Sequence, residues 1–443
     1  MRMPDTTADR SSATDRLSRG DLRTLGLAAL GGALEFYDFV VFVFLTVPLS
    51  ELFFPKGTAP WLAQLQVFGI FAAGYLARPL GGIVMAHYGD LLGRKRMFTL
   101  SVFLMALPTL VIGLLPVYAQ IGVLAPVLLL GLRVLQGIAV GGEVPGAWVF
   151  VAEHVPARRV GIACASLTSG LTVGILIGSL LTAAIHERMT PVQLLDYGWR
   201  LPFLAGGVFG FIAVWLRRWL RETPVFEAMQ ARRALADELP LRRVLREHRG
   251  AVVRSMAVTW TLTAAIVVVI LMTPTLVQSV FHLPPATAFL GNSLASFALA
   301  VGCLVLGAAA DRFGVARTLA VGAVLMTLAT GALYLDLRHG GTHFLPLYAL
   351  AGFTVGVVGV VPTVMVDAFP PAVRFSGLSF SYNVAYAVFG GITPPLIGAL
   401  VKGLGPLAPA YYVALAALAA VWVAMGLRAG RWIVDKPLPP HPV

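Results

Sequence analysis

Charge is scarce in this chain. Of its 443 residues only 12% are Asp, Glu, Lys or Arg, and 58% are apolar. Soluble domains carry about 25% charged residues, so the composition excludes one and identifies an integral membrane protein. Cysteine is nearly absent: Cys164 and Cys303 lie in different apolar blocks, and no disulfide framework is expected. None of the eight histidines falls at the middle of an apolar block, which argues against imidazole as a proton carrier inside the membrane. His-Glu-x-x-His, nucleotide-binding and metal-ligand spacings are missing as well, so the chain is not expected to be an enzyme or to hold a metal or cofactor. Residues 1–20 are polar and the first apolar block is too long for a signal h-region, so no cleavable signal peptide is expected.

What is present is apolar sequence in helix-length blocks rather than alternating ten-residue segments, against an outer-membrane barrel. Twelve spans follow: 22–48, 61–87, 97–117, 123–152, 160–184, 199–219, 252–280, 286–310, 316–336, 343–367, 375–401 and 408–429. With both termini cytoplasmic, most of the 33 lysines and arginines fall on the inner side. Lys56, Arg188, Arg200, Arg338 and Lys402 fall outside, and Arg78 and Arg133 within spans. The net charge of +12 is therefore a topology signal and not a nucleic-acid footprint. The expected organisation is an N-terminal cytoplasmic tail (1–21), a six-helix bundle (22–219), a cytoplasmic linker (220–251), a second six-helix bundle (252–429) and a tail (430–443). Within the linker, Thr223-Pro224 reads as the start of one short helix, and Pro240 starts another, closed by Gly250. Leu241, Val244 and Leu245 against Arg242, Arg243 and Arg246 suit either a helix on anionic headgroups or a solvated linker.

The halves repeat. Gly89-Asp90-Leu91-Leu92-Gly93-Arg94-Lys95-Arg96 follows the second span, and Ala310-Asp311-Arg312-Phe313-Gly314-Val315-Ala316-Arg317 the eighth. Glu153-His154-Val155-Pro156 with Arg158 and Arg159 follows the fourth; Asp367-Ala368-Phe369-Pro370 with Arg374 follows the tenth. Two homologous six-helix halves that rock about a midplane site are the expected architecture. An acid at a helix end facing basic residues of the next loop can clamp two helices shut. On this basis Asp90, Arg94, Lys95, Glu153, Arg159, Glu222, Asp311, Arg312, Asp367 and Arg374 are candidates for a cytoplasmic gate.

Asp90-x-x-Gly93-Arg94-Lys95 resembles the loop signature of the major facilitator superfamily. More narrowly, several stretches resemble its metabolite:proton symporter family: Leu34-Glu35-Phe36-Tyr37-Asp38-Phe39, Ala77-Arg78-Pro79-Leu80-Gly81-Gly82, Leu132-Arg133-Val134-Leu135-Gln136-Gly137, Gly141-Gly142-Glu143, Arg221-Glu222-Thr223-Pro224-Val225-Phe226, Tyr382-Asn383 and Phe389-Gly390-Gly391. The resemblance implies proton-driven uptake of small polar metabolites such as organic acids, betaine or proline. It also implies the major facilitator fold: an all-α membrane protein with twelve transmembrane helices in two pseudo-symmetric six-helix bundles. Gly32 stands where family members usually carry Asn, Leu91 where the loop usually carries Arg, and Val315-Ala316 where the second copy carries its basic pair.

Five ionisable residues fall deep in spans, all in the first half: Glu35, Asp38, Arg78, Arg133 and Glu143. Such residues usually have a task. Depth suggests Asp38 with Arg133 and Glu35 with Arg78, the converse pairing being the alternative, with Glu143 about 15 Å from Arg133 along the fourth span. Three acids and two arginines leave one surplus negative charge, which a bound proton neutralises. Glu35, Asp38 and Glu143 are thus candidates for proton coupling, against a static salt-bridge network in which Glu143 would be the best candidate. Arg78, Arg133, Tyr37, Gln136, Tyr382, Asn383 and Tyr386 are candidates for substrate binding, the last three as polar groups at depth in the second half. Thr259, Trp260, Gln278 and Asn292 are further polar groups suited to interhelical bonds or to enclosing a solute. Gly170, Gly174 and Gly178 read as close helix packing.

The expected function is proton-coupled symport of an organic acid by alternating access, in a bacterial inner (plasma) membrane. Uptake of a zwitterionic osmolyte and export by proton antiport are the alternatives. A small-molecule substrate, the proton and the lipid bilayer are the expected partners of a functional monomer.

Overall fold

A computed structural model describes residues 19–92, 94–155, 157–217, 240–370 and 373–429. The side chains at 19–25, 27, 28, 31, 34, 35, 39, 86–99, 150, 153, 154, 157, 216, 217 and 240 are not among those described. Helices occupy all twelve expected blocks, and no strand occurs among the described residues.

In chain order, α1 is Arg19–Phe44, continued by Thr46–Leu52, and α2 is Pro60–Leu92. Next come α3 (Arg94–Leu114), α4 (Leu124–Val140, then Glu143–His154), α5 (Val160–Arg188) and α6 (Arg200–Arg217). In the second half, α7 is Arg249–Ala264, a π-helical stretch Ala265–Met272 and Thr273–Ser279; α8 is Pro285–Phe313 and α9 Val315–Arg338. α10 runs Phe344–Val355, a 3-10 turn Gly356–Gly359 and Val361–Asp367. α11 runs Arg374–Ala385, a π-helical turn Tyr386–Gly390 and Gly391–Leu404, and α12 is Ala408–Arg428. Among the described residues, ten of these helices are long and apolar enough to cross a membrane. Outward faces are apolar, with Leu76, Leu328 and Leu418 each more than 60% exposed. Such faces suit contact with lipid and not with water.

Corresponding spans break at corresponding places: α4 at Gly141-Gly142 and α10 at Gly356–Gly359. The halves meet along α5 with α8 and along α2 with α11. Ser169 Oγ donates to Ala300 O (2.9 Å) and Ser179 Oγ to Phe289 O (3.0 Å), so α5 and α8 touch over much of their length. At the end away from the 158–159 and 312–317 loops, Lys402 Nζ of α11 lies over the Trp61 ring of α2 at 4.6 Å. The end carrying those loops is called the basic end below.

Within the first half, α2 and α4 cross with almost nothing between their backbones. A Cβ at Gly81 would fall on Ile138 O, one at Gly137 on Gly74 O, and one at Gly141 on Arg78 O. Glycine is required at each, and the close approach fixes where Arg78, Arg133 and Gln136 project. The expected small-residue packing on α5 is also present: Gly170 lies against Ala29, Gly174 against Ala33 O and Gly178 against Val40.

One boundary differs from expectation. The short helix Pro240–Glu247 forms, but Gly250 does not close it. His248 leaves helical geometry (φ −122°, ψ 31°) and α7 starts at Arg249, placing Gly250 in its first turn. The Thr223-Pro224 helix and both tails beyond 19 and 429 lie outside the described residues.

Candidate functional site

Two buried charged centres lie in the first half. The first joins three helices. Arg133 Nη1 of α4 donates to Gln136 Oε1 (2.8 Å), and Gln136 Nε2 donates to Asp38 Oδ2 of α1 (2.6 Å) and to Thr109 Oγ1 of α3 (2.9 Å). Arg133 and Gln136 project from one face of α4 because they stand at i and i+3. The amide passes the polarity on, accepting from the cation and donating to the carboxylate. The Asp38–Arg133 pairing suggested by depth is therefore made through Gln136. Arg133 is 0% exposed and Asp38 4%. Burying either ion costs several kcal/mol (about that per ion) unless the partners are well placed. The Arg133 guanidinium also lies 4.2 Å from the Phe42 ring centroid and 5.7 Å from that of Phe71. Asp38 Oδ1 has no hydrogen-bond partner among the described residues.

The second centre is Arg78 of α2. Its guanidinium lies over three rings: Tyr75 (5.3 Å) of its own helix, and Tyr382 (5.8 Å) and Tyr386 (4.7 Å) of α11. Tyr75 and Tyr386 stack across the two halves at 5.4 Å, and Trp148 of α4 meets Tyr382 edge-on at 5.1 Å. Trp148 Nε1 donates to Thr168 Oγ1 (3.3 Å), which holds its ring. Asn383 donates to Gly141 O across the halves and to Ser379 O (2.9 Å) in its own helix. Its Oδ1 has no partner among the described residues. The result is an aromatic cage around a cation, with walls supplied by both bundles.

Other expected site residues sit elsewhere. Tyr37 is not at either centre's polar groups: its hydroxyl donates to Pro202 O (2.8 Å) and its ring packs on Gly206, Gly178 and Phe209. It ties α1 to α5 and α6. Gln136 bridges Arg133 and Asp38 and does not line the Arg78 cage. Glu143 begins the second segment of α4, where the helix N-terminus favours an acid. Its described bond is from Ser101 Oγ of α3 (3.4 Å), outside the Asp38 chain. Thr259, Trp260, Gln278 and Asn292 bond to Ser255 O, Tyr412 Oη, Pro274 O and Ile270 O, so each holds helices or its own backbone. The Glu35 side chain, and with it the Glu35–Arg78 pairing, lies outside the described residues. At Gly32, a Cβ would meet the Cδ2 tip of Leu171, so an Asn there requires that leucine to change rotamer.

At the basic end, Asp311 clamps α8 to α5 through backbone amides, with the Arg159 charge of the preceding loop acting on the same carboxylate. Its carboxylate accepts from Gly161 N (2.8 Å) and Ile162 N (2.9 Å), two amides left without intrahelical partners at the start of α5. Arg312 is exposed and lies over Phe313, away from that clamp. Arg374 Nε donates to Val366 O (3.1 Å) and Phe369 O (3.3 Å), holding the end of α10 within one half. Asp367 and Arg159 are exposed. The side chains of Asp90, Arg94, Lys95 and Glu153, and all of Glu222, lie outside the described residues.

The sequence reading missed Tyr75, Trp148 and Thr109. Tyr75 was visible, three residues before Arg78 on the same helix face. Trp148 and Thr109 acquire their places only when spans are packed.

The family model described as Major Facilitator Superfamily matches residues 28–394. The chain is 34% identical over 401 residues to a putative proline/betaine transporter of Staphylococcus aureus (strain COL), covering 88% of this chain and 84% of that one. It is 33% identical over 400 residues to the shikimate transporter of Escherichia coli (strain K12), covering 87% and 89%. Among solved structures, the proton:xylose symporter XylE is similar with a TM-score of 0.73 over 93% of this chain and 96% of that one. At 16% identity that likeness speaks to the fold alone. With a family model spanning most of the chain and relatives above 30% identity, this multi-pass membrane transporter belongs to the Major Facilitator Superfamily.

Proposed function

We propose that the protein imports a small organic acid together with a proton, by alternating access, with its basic end facing the cytoplasm of a bacterial inner membrane. The observation that carries this is the Arg78 guanidinium enclosed by rings of both halves, one helix pair away from the Asp38–Gln136–Arg133 chain. A planar guanidinium fits a carboxylate with two parallel hydrogen bonds, and the rings offer faces for the rest of a compact solute. Asp38 Oδ1 is the proposed proton position. Protonation there leaves Gln136 bonded to a neutral acid and changes the net charge of the Asp38–Arg133 pair, which biases the first half towards the other orientation. The orientation itself follows from the Lys and Arg distribution.

A zwitterionic osmolyte is the second reading. Aromatic faces bind quaternary ammonium groups, and one relative is named a proline/betaine transporter. Against it, Arg78 already lies over the three ring faces, so a cationic group has to displace it.

The test uses purified protein in proteoliposomes. Carboxylates, betaine and proline are first ranked by thermal shift, and uptake of the best is then measured under imposed pH gradients. An outside-acid gradient is expected to drive accumulation of a carboxylate. Accumulation under an inside-acid gradient would replace import by export, and a preference for betaine would replace the acid by a zwitterion.

A further inference from the structure

The linker helix Pro240–Glu247 has two unlike stripes. Leu241, Val244 and His248 stand at i, i+3 and i+7 and share a face. Val244 is 0% exposed, the other two are half-buried, and the helix packs on the first segment of α11. On another stripe stand Arg242, Leu245, Arg246 and Arg249, all exposed, with Leu245 at 40%. Arg249 Nε donates to Leu245 O (2.8 Å), which draws its guanidinium back beside the end of the linker helix. The single acid is already engaged: Glu247 meets Arg243 and Arg246 at 3.0 Å each, and those hydrogen bonds hold its carboxyl below the ordinary range. The helix leads through a kink at His248 straight into α7, a membrane-crossing helix that begins at Arg249. Val253, one turn further on, is 55% exposed. The exposed stripe therefore stands at the level where α7 enters the bilayer.

We infer that the Arg242–Leu245–Arg246–Arg249 stripe docks on anionic phospholipid headgroups of the leaflet at the basic end. The match is one of charge and depth. Guanidinium groups meet phosphate, while a leucine between them enters the boundary of headgroup and acyl chain. Because the opposite stripe rests on α11, which also carries Tyr382 and Tyr386, headgroup docking links lipid composition to the cage wall.

The experiment labels Leu245→Cys with bimane in the full-length protein; Cys164 and Cys303 are buried and stay unlabelled. Acrylamide quenching is compared in nanodiscs of phosphatidylcholine alone and with phosphatidylglycerol added. Phosphatidylglycerol is expected to protect the label, and high salt to remove the protection. Each arginine near an anionic surface accounts for about a fivefold change in affinity, so R242Q/R249Q is expected to weaken docking roughly 25-fold, and R242K/R249K to retain it. Equal quenching in both lipids, or protection that survives R242Q/R249Q, overturns the inference. Equal protection by inorganic phosphate in neutral nanodiscs overturns the membrane as occupant. If R242Q/R249Q fails to fold, the lipid and salt comparisons on the parent protein decide alone.

Discussion

In the first half Asp38, Arg78, Arg133 and Glu143 are buried between spans, each at most 4% exposed. In the second half the buried polar groups are hydroxyls and amides such as Thr259, Thr273, Ser381 and Asn383. Their partners differ in kind. Asp38, Gln136, Arg133 and Thr109 tie α1, α3 and α4 together through side chains. Thr259, Ser381 and Thr273 bond to Ser255 O, Gly377 O and Val268 O of their own helices, and Thr259 and Thr273 also reach the neutral side chains of Met365 (3.6 Å) and Tyr334 (2.9 Å). A hydroxyl satisfied by its own helix travels with it, whereas a buried ion whose partner moves away is left at a cost of about 3–5 kcal/mol. In the proposed transport cycle the charged half is thus the one expected to hold its geometry, and the uncharged half the one expected to move its wall.

The sharpest way to break this comparison is Asp38→Asn, which removes the titratable oxygen but keeps the shape. Gradient-driven accumulation is expected to be lost while counterflow exchange of substrate remains; retained uphill uptake would move the proton elsewhere. Arg78→Lys comes next. It keeps the charge and loses the planar fork, so substrate affinity is expected to fall roughly 100-fold by thermal shift or competition. On the other side of the same cage, Tyr386→Leu is expected to weaken binding roughly tenfold and Tyr386→Phe to leave it near the parent value, since the ring face is what Arg78 meets. A binding loss in Tyr386→Phe equal to that in Tyr386→Leu would point to the hydroxyl instead. Asp311→Asn weakens the clamp on the α5 amides by about 1 kcal/mol, roughly a fivefold shift in the population closed at the basic end, readable by cross-linking across α5 and α8. The smallest effect is Tyr37→Phe, a loss of about 1 kcal/mol of stability with unchanged substrate affinity, because only the bond to Pro202 O is removed.

Much of the architecture was legible because apolar length and breaks are one-dimensional signals. The twelve blocks, the glycine contacts of α5 and the four buried charges whose side chains are described came from the sequence alone. The Asp38–Arg133 association also followed from depth, but Gln136 as its bridge did not. Position i+3 told which face it shared with Arg133, not which helices faced it. Tyr37 lies away from both centres for a related reason: its neighbour Asp38 points to α4, and adjacent residues on a helix point about 100° apart. The cage around Arg78 needs Tyr382 and Tyr386 from the other half, and no local pattern records that docking. Asp311 was expected to face a basic residue, and the Arg159 charge does act on it, but its hydrogen bonds go to two backbone amides, which carry no letter of their own. Gly250 looked like a stop, yet the chain had already turned at His248.

The crossing of α2 over α4 has one more consequence. Where Gly81, Gly137 and Gly141 touch bare backbone there are no side chains to repack, so one helix cannot roll over the other. In the proposed cycle the two are expected to move as a single lever, with Arg78 and Arg133 riding on it at a constant separation. Transport strokes must then leave that distance unchanged, and a pair of probes on α2 and α4 would report a stationary baseline against which motion of α11 is measured.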